Sequence, residues 1–172
     1  MSDVEITGYV PGAIGRIVEM HAVYYARHWD LGRYFEARVA WEMGELMGRF
    51  DPEQDGAWFA RVDERIVGAV LIDGHDRDGE GARLRWFIVD PDYQGLGLGH
   101  RLMTEAMTFC RRQGFRRVYL TTFAGLHTAR HVYEKFGFRL CREEDGTELT
   151  GSPNLIEQVF ECQMVEETGE SA

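Results

Sequence analysis

The spacing of apolar residues changes along the chain and divides it into elements. Val4 to Val10 reads as a short first strand, broken by Pro11-Gly12. Ile14, Ile17, Val18, His21, Val23 and Tyr25 then recur at roughly helical spacing, which predicts a helix to about Trp29. Asp30 is placed to cap a second helix, which carries Tyr34, Phe35, Ala37, Val39, Trp41, Leu46 and Met47 and ends before Asp51-Pro52. From residue 57 the period shortens. Residues 57–62 and 66–72 flank Asp63-Glu64-Arg65 and read as a hairpin. A loop from Asp73 to Gly81 leads to a strand over Arg83 to Val89. After a glycine loop, Leu98, Leu102, Ala106, Phe109 and Cys110 mark one face of a helix that Gly114 closes. Val118 to Thr122 is a buried strand, Leu126 to Phe136 a helix closed by Gly137, and Phe138 to Cys141 and Gln158 to Met164 the last strands. This order predicts an α/β fold, a mixed sheet with helices on both faces. No linker or repeat interrupts it, so residues 1–172 read as one domain.

Composition narrows the function classes. The net charge of −10 opposes nucleic acid as a partner. It favours a cationic substrate by long-range steering, or serves solubility alone. No apolar run approaches the roughly 18 residues of a membrane helix, and the first residues lack the pattern of a signal peptide. Cys110, Cys141 and Cys162 are odd in number and form no Cys-x-x-Cys pair, as expected of reduced thiols in a cytoplasmic protein.

The chemistry concentrates at residues 94–99, Gln-Gly-Leu-Gly-Leu-Gly, between the strand ending Val89-Asp90-Pro91 and the helix opening at Leu98. Alternate glycines strip side chains from a turn at a helix start, where free backbone N–H groups point outward at an anion. A diphosphate suits that position. A dinucleotide fingerprint requires Gly-x-Gly-x-x-Gly and an acid about 20 residues on. Here the glycines are spaced two and two, and Val-Tyr-Leu-Thr stands near residue 119 with no acid. The Gly-Lys-Ser/Thr of a Walker loop is absent.

Trp86-Phe87-Ile88-Val89, Asp90-Pro91, Gln94-x-x-Gly97-x-Gly99 and Ala129-x-x-x-Tyr133-x-Lys135-x-Gly137-Phe138 together resemble the GNAT superfamily of acyl-CoA-dependent N-acyltransferases. The likeness runs over roughly residues 4 to 165. Ala13 to Ala40, with Arg85-Trp86-Phe87, is most similar to the acetyltransferase half of bacterial proteins that fuse a MarR-type DNA-binding domain to a GNAT domain. The chain starts directly at that half, so DNA binding is not implied.

The resemblance implies the GNAT fold, a mixed and largely antiparallel sheet splayed around the cofactor, with acetyl-CoA as co-substrate and no metal. It places the diphosphate on the amides of Gly95, Leu96, Gly97, Leu98, Gly99 and His100, with Gln94 nearby. It places the pantetheine along the backbone of Phe87, Ile88 and Val89. Tyr133 takes the position of the tyrosine near the sulfur, where a phenol donates to the departing thiolate. Two positions depart from the family. Leu126 stands where an Asn often bonds the cofactor. Arg85 stands where many members carry a Glu base, and a guanidinium accepts no proton. Arg85 then either clamps a substrate carboxylate or forms a structural salt bridge. The candidate base is Glu36, followed by His21 and His28. Tyr24 and Tyr34 join the acceptor wall. His21 and His28 share a helix face but lack a third metal ligand.

The reading is an N-acetyltransferase acting on a small-molecule primary amine by direct attack in a ternary complex. A protein lysine or N-terminus is the alternative acceptor, and a non-catalytic acyl-CoA sensor the alternative class. A homodimer is left open.

Overall fold

The computed structural model describes residues 4–164. Its strands are β1 Glu5–Thr7, β2 Gly56–Val62, β3 Arg65–Asp73, β4 Ala82–Val89, β5 Arg117–Phe123, β6 Arg139–Asp145 and β7 Ile156–Gln163. They form one sheet in the order β1-β2-β3-β4-β5-β7-β6. Only β4 and β5 pair in parallel; the other neighbours are antiparallel. Helices α1 Ala13–Trp29 and α2 Arg33–Gly48 cover one face, packing Ile17, Met43 and Leu46 on Phe59, Leu71 and Ile88. Helices α3 Leu98–Arg112 and α4 His127–Lys135 cover the other, where Leu102, Met103 and Ala106 meet Ala60, Val67 and Val70. β3 is buried from Ile66 to Ile72 because both faces are covered, which explains its continuous apolar run.

Three boundaries differ from the sequence reading. Asp30 does not cap the second helix. It closes α1 in a left-handed conformation, its N–H donating to the Ala26 carbonyl, and Gly32 precedes α2. Asp tolerates that conformation better than most residues, so a polar residue between two helices serves either end. The first strand is three residues rather than seven. The strand expected at Phe138 to Cys141 continues to Asp145, and a single helical turn, α5 Thr147–Thr150, follows it. That extension carries Arg142, Glu143, Glu144 and Asp145 and is wholly exposed. It is an edge strand, where charge discourages further pairing, and it shows no apolar alternation to read.

Two irregularities in β4 create the site. β4 pairs with β5 only at Ala82↔Val118 and Arg83↔Tyr119; beyond Arg83 the strands splay. In addition, Leu71 pairs with Arg85 and Ala69 with Ile88. Trp86 and Phe87 therefore oppose Val70 alone, a β-bulge with Trp86 at φ 48. A non-glycine residue in that region costs about 1 kcal/mol. The bulge also inverts the alternation of faces. Ala82 and Leu84 face α3, as do Phe87 and Val89 beyond it, whereas Trp86 and Ile88 face α1.

Candidate functional site

Two cavities open where β4 leaves β5. The first is a groove of about 400 Å³ between the glycine loop and the start of α4, walled by Phe87, Val89, Gly97, Gly99, Leu126 and Val132. Asp90 N donates to Val67 O at 2.8 Å, and Ile88 pairs with Ala69. By the antiparallel alternation Ile88 directs its peptide groups to β3, and Phe87 and Val89 direct theirs into the gap. Gln94 Nε2 donates to the Val89 carbonyl at 3.1 Å, in keeping with that direction. At the groove's outer end α3 begins with Gly97 as N-cap at φ 76, with no side-chain cap and no acid in the first turn. The first intrahelical bond runs from Arg101 N to Gly97 O. The N–H groups of Leu98, Gly99 and His100 are left for an anion, with the positive end of the helix dipole behind them.

Gly95 and Gly97 both lie at φ 76 with nothing near an added Cβ. Glycine is required there by backbone conformation rather than by space. Gly99 differs: a Cβ on it would stand 3.2 Å from Phe87 Cζ, so its bareness lets α3 press against that ring.

The second cavity, of about 100 Å³, lies under α1 and α2 and is lined by His21, Arg38, Glu42, Arg83, Arg85 and Tyr133, among others. It shares Tyr25 and Phe87 with the groove. Arg85 donates to Glu42 Oε2, Arg38 Nε to Glu42 Oε1 at 2.7 Å, and Arg85 Nη1 lies 3.7 Å from Asp73. The Arg85 guanidinium stacks 4.1 Å over the Trp86 ring. Burial, with Arg83 alongside, lowers its pKa to about 10, so it stays charged at neutral pH. His21 Nδ1 sits 2.9 Å from the Ile17 carbonyl, which assigns the proton to Nδ1 and leaves Nε2 as the acceptor. Burial lowers the His21 pKa to about 4, so the ring is neutral at pH 7. The buried Tyr133 ring packs against Phe87 at 5.7 Å and against Phe138 and Phe160 at 6.1 Å. Burial raises its pKa.

Residues 14–138 match the family model of the acetyltransferase (GNAT) family. The chain belongs to that family. It is similar to an acetyltransferase of GNAT family from Staphylococcus aureus Mu50 at TM-score 0.74 and 17% identity, over 95% of this chain and 100% of that one. The Salmonella typhimurium acetyltransferase YncA, solved with its cofactor acetyl-CoA, matches at TM-score 0.68 and 18% identity over 98% of each chain. A mycothiol acetyltransferase of Cellulomonas flavigena is 32% identical over 78% of this chain and 40% of its own length. The chain spans about half the length of the curated relatives it matches. It thus has the GNAT fold, and no helix among its described residues is long and apolar enough to cross a membrane.

Within this GNAT frame the structure brings some of the expected residues together and separates others. Phe87, Val89, Gln94, Gly95, Gly97, Leu98, Gly99 and His100 all border the groove. Leu98 is a buried core side chain and offers the groove only main chain. Ile88 touches the groove, but its peptide groups face β3. Leu96 is exposed and lies off the groove wall. His100 packs against Phe136 with the ring centroids 5.0 Å apart and the planes tilted by 42°. Tyr133 borders the inner cavity, and Leu126 borders the groove.

The acceptor side differs more. Glu36 is exposed in a shallow outer cleft between α1 and α2 and lines neither cavity. Tyr34 is exposed, its hydroxyl donating to Glu148 O at 2.9 Å. Tyr24 borders the groove rather than the inner cavity. His28 is exposed, leaving His21 as the histidine at the inner cavity. Arg85 does not share a face with Phe87 and Val89, because the bulge intervenes. It forms the salt bridge that stood beside the carboxylate clamp as its alternative.

The sequence reading missed Arg38, Glu42 and Arg83. Phe35, Val39, Met43 and Leu46 are the buried positions of α2. A helical projection fixed on those four sets Glu42 at one edge of the inward face and Glu36 at the other, with Arg38 further round on the Glu42 side, so it does not by itself separate them. Trp41, read from the sequence among the apolar positions of that helix, is 69% exposed in the structure.

Proposed function

We propose that this GNAT protein transfers an acetyl group from acetyl-CoA to the primary amine of a small molecule, both substrates being bound at once. One observation carries the reading: the groove with its main-chain anion site and the polar inner cavity meet at Tyr25 and Phe87. Acetyl-CoA supplies the acetyl group as a thioester. The α3 amides receive its diphosphate, and the gap-facing peptide groups of Phe87 and Val89 receive its pantetheine as an added strand. An N–H at Val89 stabilises the charge that develops on the carbonyl oxygen. An inner cavity of about 100 Å³ suits a small amine better than a segment of protein chain.

His21 Nε2 accepts an N–H of the amine, orients its lone pair at the junction and takes its proton as the C–N bond forms. It replaces Glu36 in that role, because it is at the cavity and neutral. Tyr133, kept protonated by burial, donates to the departing thiolate.

The test is thiol release from acetyl-CoA with a panel of amines. Turnover on at least one small amine is expected. Tyr133→Phe should lower kcat about 100-fold while calorimetric acetyl-CoA affinity holds. Wild-type turnover in that variant would remove the role of Tyr133. Tight acetyl-CoA binding with no release on any amine would replace the transferase by an acyl-CoA sensor.

A further inference from the structure

The inner cavity is positively charged within an acidic protein. The chain carries a net −10, yet three guanidiniums, Arg38, Arg83 and Arg85, line this cavity against one carboxylate, Glu42. Long-range steering by net charge pointed to a cationic substrate. The local field at the cavity points the other way, and at contact distance the local field decides.

The three arginines are not equivalent. Arg38 and Arg85 occupy both oxygens of Glu42, and Arg85 also approaches Asp73. Arg83 makes no ion pair among the described residues. Among the described residues its one side-chain hydrogen bond runs from Nη2 to Thr121 Oγ1 at 2.8 Å. Glu157 on β7 feels its charge but forms no ion pair with it. Arg83 is half-buried, at the last paired position before β4 and β5 splay. It shares a strand face with Arg85, both preceding the bulge. A guanidinium held by one hydroxyl, with its remaining N–H groups toward a cavity, is built to receive an oxyanion in a bidentate fork.

We infer that Arg83 is the receptor for a carboxylate on the acceptor, so that the substrate class is a small amino acid rather than a simple amine. The inference rests on the transferase reading above. The carboxylate lies at the paired end of β4, against Arg83 and the Thr121 hydroxyl. The amine lies at the splayed end, near Phe87 and Tyr133. Three residues of β4 lie between Arg83 and Phe87, a span of about 12 Å less what the arginine side chain covers.

The test compares common amino acids with their carboxamides, which keep the amine and lose the charge, by thiol release from acetyl-CoA. For the best amino acid, kcat/KM should exceed that of its carboxamide by at least about 30-fold in the wild type. Arg83→Gln, which can still donate to Thr121, should remove that preference, lowering kcat/KM for the acid at least about 10-fold more than for the carboxamide. Arg83→Lys should restore part of it. Calorimetric acetyl-CoA affinity, unchanged in both variants, reports that they fold. Equal use of acids and carboxamides by the wild type, or an equal loss on both in Arg83→Gln, would overturn the inference and leave the transferase standing. No release from any compound, with acetyl-CoA still bound, would overturn both.

Discussion

The groove and the inner cavity meet at two rings, Tyr25 and Phe87, yet they are made differently. The groove is made of main chain: a splayed strand, two left-handed glycines and the free amides of a helix start. The inner cavity is made of side chains brought from α1, α2, β4, β5 and α4. A main-chain site depends on backbone conformation and resists side-chain change except where a side chain intrudes. A side-chain site depends on a charge network, in which one substitution unbalances several groups. On the transferase reading proposed above, a protein built this way can keep its acyl donor while changing its acceptor.

The sharpest break of that contrast is at the helix start. Gly97→Glu places a side chain in a left-handed position and an anion where an anion should bind. We expect acetyl-CoA affinity to fall at least about 100-fold, or ~3 kcal/mol, with a stability cost of about 1 kcal/mol for the backbone alone. Calorimetry checks the first and urea denaturation the second. Unchanged affinity would mean that the amides of α3 do not hold the cofactor.

The opposite pattern is expected at Glu42. Glu42→Gln leaves Arg38 without its carboxylate and Arg85 with only Asp73 at 3.7 Å. Arg85 and Glu42 are 11% and 16% exposed, so loss of the shared partner should cost about 2–3 kcal/mol of stability. Acetyl-CoA affinity should stay within about 2-fold. The double variant Arg85→Met with Glu42→Leu should lose less than the two single losses added, because it leaves no unpaired charge between them. Additive losses in urea unfolding would show that the two residues are energetically independent.

These two substitutions also mark what the sequence could convey. The groove was legible because its makers are local: strand, glycines and helix are consecutive between residues 84 and 112, and glycine spacing is itself a statement about backbone. Tyr133 was legible through the Tyr-x-Lys-x-Gly-Phe context. The inner cavity was not, for two physical reasons. Glu42 meets Arg85 across 43 residues of chain, and no local pattern reports that encounter. The bulge at Trp86 inverts the strand faces, whereas strict alternation would set Arg85 on the side of Phe87 and Val89. Nothing in Arg85-Trp86-Phe87 announces a bulge, which reflects the gap beside β4 rather than the propensity of Trp.

A smaller effect comes from His21. Its ordinary pKa of 6.5 falls to about 4 in the folded chain. Between those values the unfolded chain binds more protons than the folded one, so stability rises with pH across that window. The contribution is complete above pH 6.5 and fades as pH drops toward 4, by about 2 kcal/mol at pH 5. His21→Gln cannot titrate and should lose that share of the difference between urea unfolding at pH 7.5 and at pH 5. A variant with the same pH dependence as the wild type would mean that His21 is not held neutral by the cavity, and its role as the amine's acceptor would fall with it.

The mildest probe sits where the two regions touch. Gly99 lies in the first turn of α3, outside the left-handed region, so alanine meets no backbone penalty there. Alanine is worth up to about 1 kcal/mol over glycine inside a helix, and the added Cβ would approach Phe87 Cζ to 3.2 Å. The ring must give by a few tenths of an ångström. Stability should therefore change by less than about 0.5 kcal/mol, the two terms opposing. Function should register the shift, because Phe87 walls both cavities and its peptide groups face the gap. We expect KM for acetyl-CoA and for the amine to rise together, each by about 3-fold. A rise in only one of them would show that the ring belongs to that cavity alone, and that groove and inner cavity are coupled elsewhere, with Tyr25 the other residue they share.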